Sequence, residues 1–221
     1  MITARPRTAA LPTANQLATA DQLGSDLGQI PLSFSDLSGR LVEVTGGPSS
    51  GRSSWLARLV ATVQADGETA AWLQLAPGTL YPPDLAALGV DLTALTTCLL
   101  PDGQALLKTA DILLRSGGFG LVVADLADTA IRPTDGQLGR LLGLCQKHGA
   151  VLALLTRALE PQAGEVARGA ALGSLVSLRV ALRRSAPQAG QCQLVAEVVK
   201  DKRRGPGRQL REVWALPEDL L

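Results

Sequence analysis

Residues 45–59 read TGGPSSGRSSWLARL. Gly46 and Gly51 have the spacing of the phosphate-binding loop G-x-x-x-x-G-K-[ST], with Arg52 in place of the lysine and Ser53 after it. In such a loop the glycines let backbone N–H groups wrap the phosphates, and the following helix N-terminus adds partial positive charge. The lysine bridges the terminal phosphates, and the hydroxyl holds Mg²⁺. The candidate nucleotide-binding set is therefore Gly46, Gly47, Ser49, Ser50, Gly51, Arg52 and Ser53, in degenerate form. Arginine keeps the charge but not the compact ammonium that fits between two phosphates, so binding is compatible with this loop and fast hydrolysis is not. A Gly/Ser-rich turn with no ligand is the alternative reading.

The loop lies between an apolar run, RLVEVTG (40–46), and an amphipathic stretch, SSWLARLVATVQADG (53–67), which predict a strand and a helix. Outward from there the pattern repeats. TAAWLQLA (69–76), GLVVADL (120–126) and AVLALLTR (150–157) read as strands. DLAALG (84–89), DGQALLKTADILLRSG (102–117) and TDGQLGRLLGLCQKHG (134–149) read as helices, the second ending at a glycine pair. Alternation of strand and helix predicts a parallel sheet with helical crossovers. The last segments, SLVSLRVALRRS (174–185), QCQLVAEVVKDKRR (191–204) and RQLREVWAL (208–216), alternate apolar and polar residues and predict antiparallel strands extending that sheet. Asp125, at the end of GLVVAD, is the candidate acid that would approach Mg²⁺ together with Ser53, or else a cap on the next segment.

Composition narrows the class. The chain has 221 residues, enough for one well-buried domain, and its 46% apolar but only 3% aromatic content points to a core of Leu, Val and Ala. A net charge of +1 excludes a global field toward nucleic acid or membrane. Basic residues gather late instead, as Lys200, Lys202, Arg203, Arg204, Arg208 and Arg211. Cys98, Cys145 and Cys192 are widely spaced and odd in number, which suggests neither a disulfide framework nor a zinc site and fits a reducing cytoplasm. No run has the length of a membrane helix. His148 lies at a helix end and is assigned no chemistry. The expected division is a flexible arm over 1–36, with one short helix through Leu17, Leu23, Leu27 and Ile30, and a core domain over 37–221. The opening MITARPRTAALPTANQ, acid-poor and Arg-bearing, weakly resembles a transit peptide.

Taken together, GRLVEVTGGPSSGRSS, LAALGVDLTALTTCLLPDGQALLKTADILLRSG, GLVVAD, GSLVSLRVALRRS and VVKDKRRGP resemble the RecA family of recombinases from about Gly39 to Trp214. The resemblance implies a RecA-like P-loop α/β fold, a mainly parallel sheet flanked by helices with C-terminal antiparallel strands. It also exposes departures. Pro77 stands where the family has the glutamate that orients the attacking water. Tyr81 and Asp84 fall, with residue types exchanged, at the adenine contacts, and Arg157 replaces the glutamine that senses the terminal phosphate. DLADTAIRPTDGQLG and ALEPQAGEVARGAALG are shortened forms of the two DNA-facing loops, so weak or no direct DNA binding is expected. Lys200 and Lys202 match the pair that reaches a neighbour's nucleotide, and with Arg203 and Arg204 they form the candidate partner contact, or simply an exposed basic strand end.

Within that family the pattern is similar to the ImuA group, RecA-like proteins encoded with mutagenic translesion polymerases and related to SulA-type division inhibitors. That likeness implies a bacterial cytoplasmic protein, nucleoid-associated when active, that serves DNA-damage tolerance. Its implied partners are RecA and a DinB/ImuB-type polymerase relative, with no membrane. The implied function is a catalytically impaired protein that binds and inhibits RecA and needs no cofactor, ATP or ADP with Mg²⁺ being what the loop would take. An active DNA-dependent ATPase and a SulA-like division inhibitor are the alternatives.

Overall fold

The computed structural model describes residues 33–157, 172–185 and 191–215. The expected N-terminal helix and most of the second shortened loop lie outside the described residues. Eight strands form one sheet: β1 (Arg40–Gly46), β2 (Ala70–Leu75), β3 (Leu95–Leu100), β4 (Leu121–Asp125), β5 (Val151–Arg157), β6 (Leu178–Arg184), β7 (Gln191–Asp201) and β8 (Gln209–Ala215). Their order is β3-β2-β4-β5-β1-β6-β7-β8. Every neighbouring pair from β3 to β6 is parallel, and β7 and β8 continue the sheet antiparallel. The expected mainly parallel sheet with C-terminal antiparallel strands is what the chain forms. One refinement concerns β6, which runs parallel to β1 on one side and antiparallel to β7 on the other.

Two layers of helix cover the sheet. On one face Trp55, Leu56, Leu59, Val60 and Val63 of α2 (Arg52–Ala65) and Leu85 of α3 (Pro82–Ala87) pack on Val42, Val44, Val123 and Leu155. On the other, Leu106, Leu107, Ala110 and Leu114 of α4 (Gly103–Ser116) and Leu138, Leu141 and Cys145 of α5 (Asp135–His148) pack on Leu41, Val122, Leu152 and Leu154. Strands buried on both faces must be apolar in both registers, which is why GLVVAD and AVLALLTR carry no polar alternation. Caps set the ends of the helices. Asp102 accepts from the Ala105 amide at 2.8 Å, Thr134 and Gln137 form a capping box, and α4 and α5 end on left-handed Gly117 and Gly149. Among the described residues no helix is long and apolar enough to cross a membrane.

Two elements escape sequence reasoning. β3 is an edge strand whose residues are half-buried or exposed, so LTTCLL shows neither a continuous apolar run nor strict alternation. The four-residue helix α1 (Phe34–Leu37), capped by Ser33, is too short to display a period; it straddles the expected 36/37 boundary and buries Leu37.

A buried network closes the end of the sheet where β1 begins and β7 ends. Asp201 at the end of β7 takes Arg40 at 2.7 Å and also pairs with Arg208; Arg40 and Asp201 side chains are 2% and 0% exposed. Burial alone would raise the Asp201 carboxyl, but the Arg203 amide and the Arg40 guanidinium outweigh it and hold the carboxyl below its usual range. A depressed folded value contributes stability above the unfolded value of about 3.9, and that stability is lost as pH falls through the folded value. Asp201→Ala leaves the buried Arg40 uncompensated and is expected to cost about 3–5 kcal/mol in urea unfolding at pH 7. The difference from wild type should shrink in acid below about pH 4. A loss under about 1 kcal/mol at pH 7 would show that Arg40 is satisfied elsewhere.

Candidate functional site

Parallel α/β sheets place ligands at the carboxyl ends of their strands. Here Gly46 ends β1, Asp125 ends β4 and Arg157 ends β5, and β1 lies one strand from β5. The predicted loop residues and the predicted acid are thus brought to one end of the sheet.

The loop itself keeps the phosphate-binding backbone. Gly51 caps α2 with φ +82°, a left-handed setting that favours glycine, and a Cβ there would stand 2.6 Å from Leu194 Cδ1. At Gly46 a Cβ would meet Ser50 Oγ at 2.3 Å and the Leu182 carbonyl at 2.7 Å. Ser49 adopts φ +56°, the strained setting of a tight loop. Ser50 Oγ is buried with no hydrogen-bond partner. No side chain caps α2 and no acid lies in its first turn, so its N-terminal dipole is left uncompensated.

Arg52 is engaged within the chain itself. One guanidinium nitrogen donates to the Gly46 carbonyl at 2.8 Å and to the Thr156 carbonyl at 3.0 Å, tying α2 to the ends of β1 and β5. Burial lowers its pKa, Asp125 opposes that, and Arg157 reinforces it. Asp125 is drawn the other way. Burial raises its carboxyl, against the Ala127 amide that donates to it at 3.0 Å and against Arg52. Arg157, at the end of β5, pairs with Asp128 at 2.5 Å. Two cations and two carboxylates therefore balance one another at this end of the sheet without any ligand.

A bound nucleotide with Mg²⁺ would find part of what it needs. The glycine loop, the bare helix end and the orphaned Ser50 hydroxyl fit an anion. The chemical groups do not fit a hydrolytic reaction. Arg52 spends Nη1 on backbone carbonyls, and Arg157 forms a solvent-exposed pair with Asp128. Pro77 is exposed and offers no acid or base, while Gln74, three residues earlier, spends its side-chain oxygen on the Thr79 and Leu80 amides. Ser53 is exposed at the start of α2, and among the described residues no three His, Cys, Asp or Glu gather as a metal site. Tyr81 is 63% exposed and Asp84 lies in the first turn of α3. No hydrolytic step follows from this arrangement.

The predicted partner contact is divided. Arg203 donates to the Asp36 and Ser38 carbonyls at 2.8 and 3.0 Å, and Arg204 pairs with Asp36, so both fasten α1 to the sheet. Lys200 donates to the Ser174 carbonyl at 3.0 Å. The Lys202 side chain is exposed and makes no hydrogen bond or ion pair among the described residues. Sequence reasoning missed Thr156, Asp128 and Glu43. The hydroxyl of Thr156 donates to Glu43 at 3.1 Å, and Glu43 also accepts from Arg179 at 2.6 Å. A charge inside the apolar run RLVEVTG was the available signal for Glu43; Asp128 and Thr156 carried none.

A model of the RecA N-terminal domain matches residues 24–173, more than half of the chain. RecA of Corynebacterium urealyticum is 36% identical over 137 residues, 61% of this chain and 34% of that protein. RecA of Picosynechococcus sp. is 33% identical over 132 residues, 59% and 36% of the two chains. The matched region thus spans about a third of the length of these relatives. The RadB recombinase structure superposes with a TM-score of 0.62 at 18% identity, covering 82% of this chain and 89% of that one, which shows a shared fold. The loop geometry, the sheet order and the matched sequence agree, and this chain belongs to the RecA N-terminal domain family.

Proposed function

We propose that this chain is a RecA-like protein with impaired nucleotide chemistry that works by binding RecA and inhibiting it, in the service of DNA-damage tolerance. The observation that carries the reading is the Arg52 guanidinium held by the Gly46 and Thr156 carbonyls. With Nη1 spent on its own strand ends, Arg52 has only Nη2 and Nε left for a phosphate and would lose the usual bidentate choice unless those two bonds break. The absence of an acid or base at Pro77 and the pairing of Arg157 with Asp128 support the same reading. Of the four cations of the expected contact, Lys202 is the one whose side chain makes no hydrogen bond or ion pair among the described residues, so it is the one free to meet a relative of the same fold. The resemblance to the ImuA group extends the proposal to mutagenic translesion synthesis with a DinB/ImuB-type polymerase, in a bacterial cytoplasm.

A second reading, an active DNA-dependent ATPase, is favoured by the intact glycine geometry and the Ser53 hydroxyl. Steady-state ATP hydrolysis on single-stranded DNA separates the two, using this protein alone, RecA alone, and the two mixed at rising ratio. No turnover alone and dose-dependent suppression of RecA is the expected result. Turnover by this protein alone, abolished by Ser53→Ala, would replace the proposal with the ATPase reading. Lys202→Ala is expected to raise the concentration needed for half suppression by about threefold, the effect of one exposed charge contact. An unchanged value would remove Lys202 from the interface.

The unliganded site also has a pH signature. A carboxyl raised by burial binds its proton more tightly folded than unfolded, so Asp125 withdraws stability as pH rises above the unfolded value of about 3.9. Asp125→Asn keeps an acceptor for the Ala127 amide and is expected to be at least as stable as wild type at pH 7, the difference closing toward about pH 4. Denaturant unfolding at several pH values measures this. A marked loss of stability at pH 7 would show that the Asp125 charge is needed by the unliganded fold.

A further inference from the structure

At the β8 side of the sheet, β6, β7 and β8 have one face in the core and one outside it. Leu182, Leu194, Ala196 and Leu210 lie in the apolar cluster of α2. Side chains alternate between faces along a strand, so the paired row Arg183–Val195–Arg211 lies on the other side, and none of its residues belongs to the cluster under α4 and α5. An open cavity of about 270 Å³ is lined there by Arg183, Arg184, Ser185, Gln193, Val195 and Arg211. Arg183 and Arg184 are exposed and make no hydrogen bond or ion pair among the described residues. Arg211 donates to the Gln209 side-chain oxygen at 3.3 Å. Glu197 stands in the next row, between Ala181 and Gln209. Three cations against that one carboxylate leave excess positive charge.

The surface between the cations is apolar. Val195 is 8% exposed between the two arginines of its row, and Val213, paired with Gln193 in the adjoining row, is 52% exposed. A nucleic acid strand is less well served by this arrangement. No aromatic ring lines the cavity to stack a base, and Glu197 interrupts the positive charge along the face. A peptide whose carboxylates flank an aliphatic side chain matches both the charge and the apolar strip. The cavity adjoins the start of β7, whereas Lys202 follows its end, so this surface is separate from the contact assigned to Lys202.

We propose that this face of β6–β8 docks an acidic, aliphatic peptide segment of a partner protein, its carboxylates on Arg183 and Arg211 and its aliphatic side chain on Val195 and Val213. Fluorescence anisotropy with the full chain tests it, using three dye-labelled probes: a short peptide repeating Glu-Leu-Asp, its counterpart repeating Glu-Ser-Asp, and oligothymidylate. The leucine peptide is expected to bind most tightly. Arg183→Ala and Arg211→Ala together are expected to weaken it about tenfold, the effect of two exposed charge contacts, and Val213→Ser to erase its advantage over the serine peptide. Lys202→Ala is expected to leave its affinity unchanged. The substituted side chains are exposed, and an unchanged melting temperature separates lost binding from lost fold. Equal binding of the two peptides overturns the proposal, as does an affinity that ignores the arginine pair or falls with Lys202→Ala. Oligothymidylate binding at least as tightly as the leucine peptide, and weakened by the same arginine pair, would make this a nucleic-acid face and overturn it too.

Discussion

The carboxylate of Glu43 is fully buried in the central strand, and the arrangement around it follows from the need to satisfy that charge. It accepts from Thr156 on β5, from Arg179 on β6 and from the Leu172 amide. An unpaired carboxylate in this position would cost several kcal/mol, so three separate parts of the chain are held in one register. The same threonine gives its carbonyl to Arg52. The buried acid and the arginine of the loop are therefore linked through one residue, Thr156, by its hydroxyl and its carbonyl.

That connection explains why the site looks as it does. A loop with the backbone of a phosphate cradle has its own cation bonded to the ends of β1 and β5, with Asp125, Asp128 and Arg157 as its charged neighbours. The core of the α/β scaffold is separate from the site's polar groups; Val42, Val44, Trp55 and Leu155 pack together in one buried apolar cluster. The proposed inhibitory role rests on the protein's surface, since a RecA-like fold can present its shape to a partner independently of its nucleotide chemistry.

Much of this was legible in the residues. GLVVAD and AVLALLTR announced buried parallel strands because burial on both faces removes polar alternation, and Gly117 and Gly149 marked helix ends. The loop was visible in the spacing of Gly46 and Gly51. β3 was not legible, since an edge strand with one neighbour leaves Thr96, Thr97 and Leu99 exposed. Nor was the direction of Arg52. Its partner Thr156 is 104 residues away, and Glu43 finds Arg179 at a separation of 136, so their meeting depends on strand order, which periodicity does not encode. Arg203 and Arg204 read as free cations for the same reason; their partners near residue 36 belong to a helix too short to recognise.

Titration calorimetry of Mg²⁺-ATP into the full chain, beside Arg52→Lys, tests most directly whether Arg52 holds the loop closed. Wild type is expected to bind no more tightly than about 1 mM, with the lysine variant gaining about tenfold as a compact ammonium replaces the tethered guanidinium. Micromolar binding by wild type, weakened by the lysine, would contradict the closed loop and show that the arginine meets the phosphates itself.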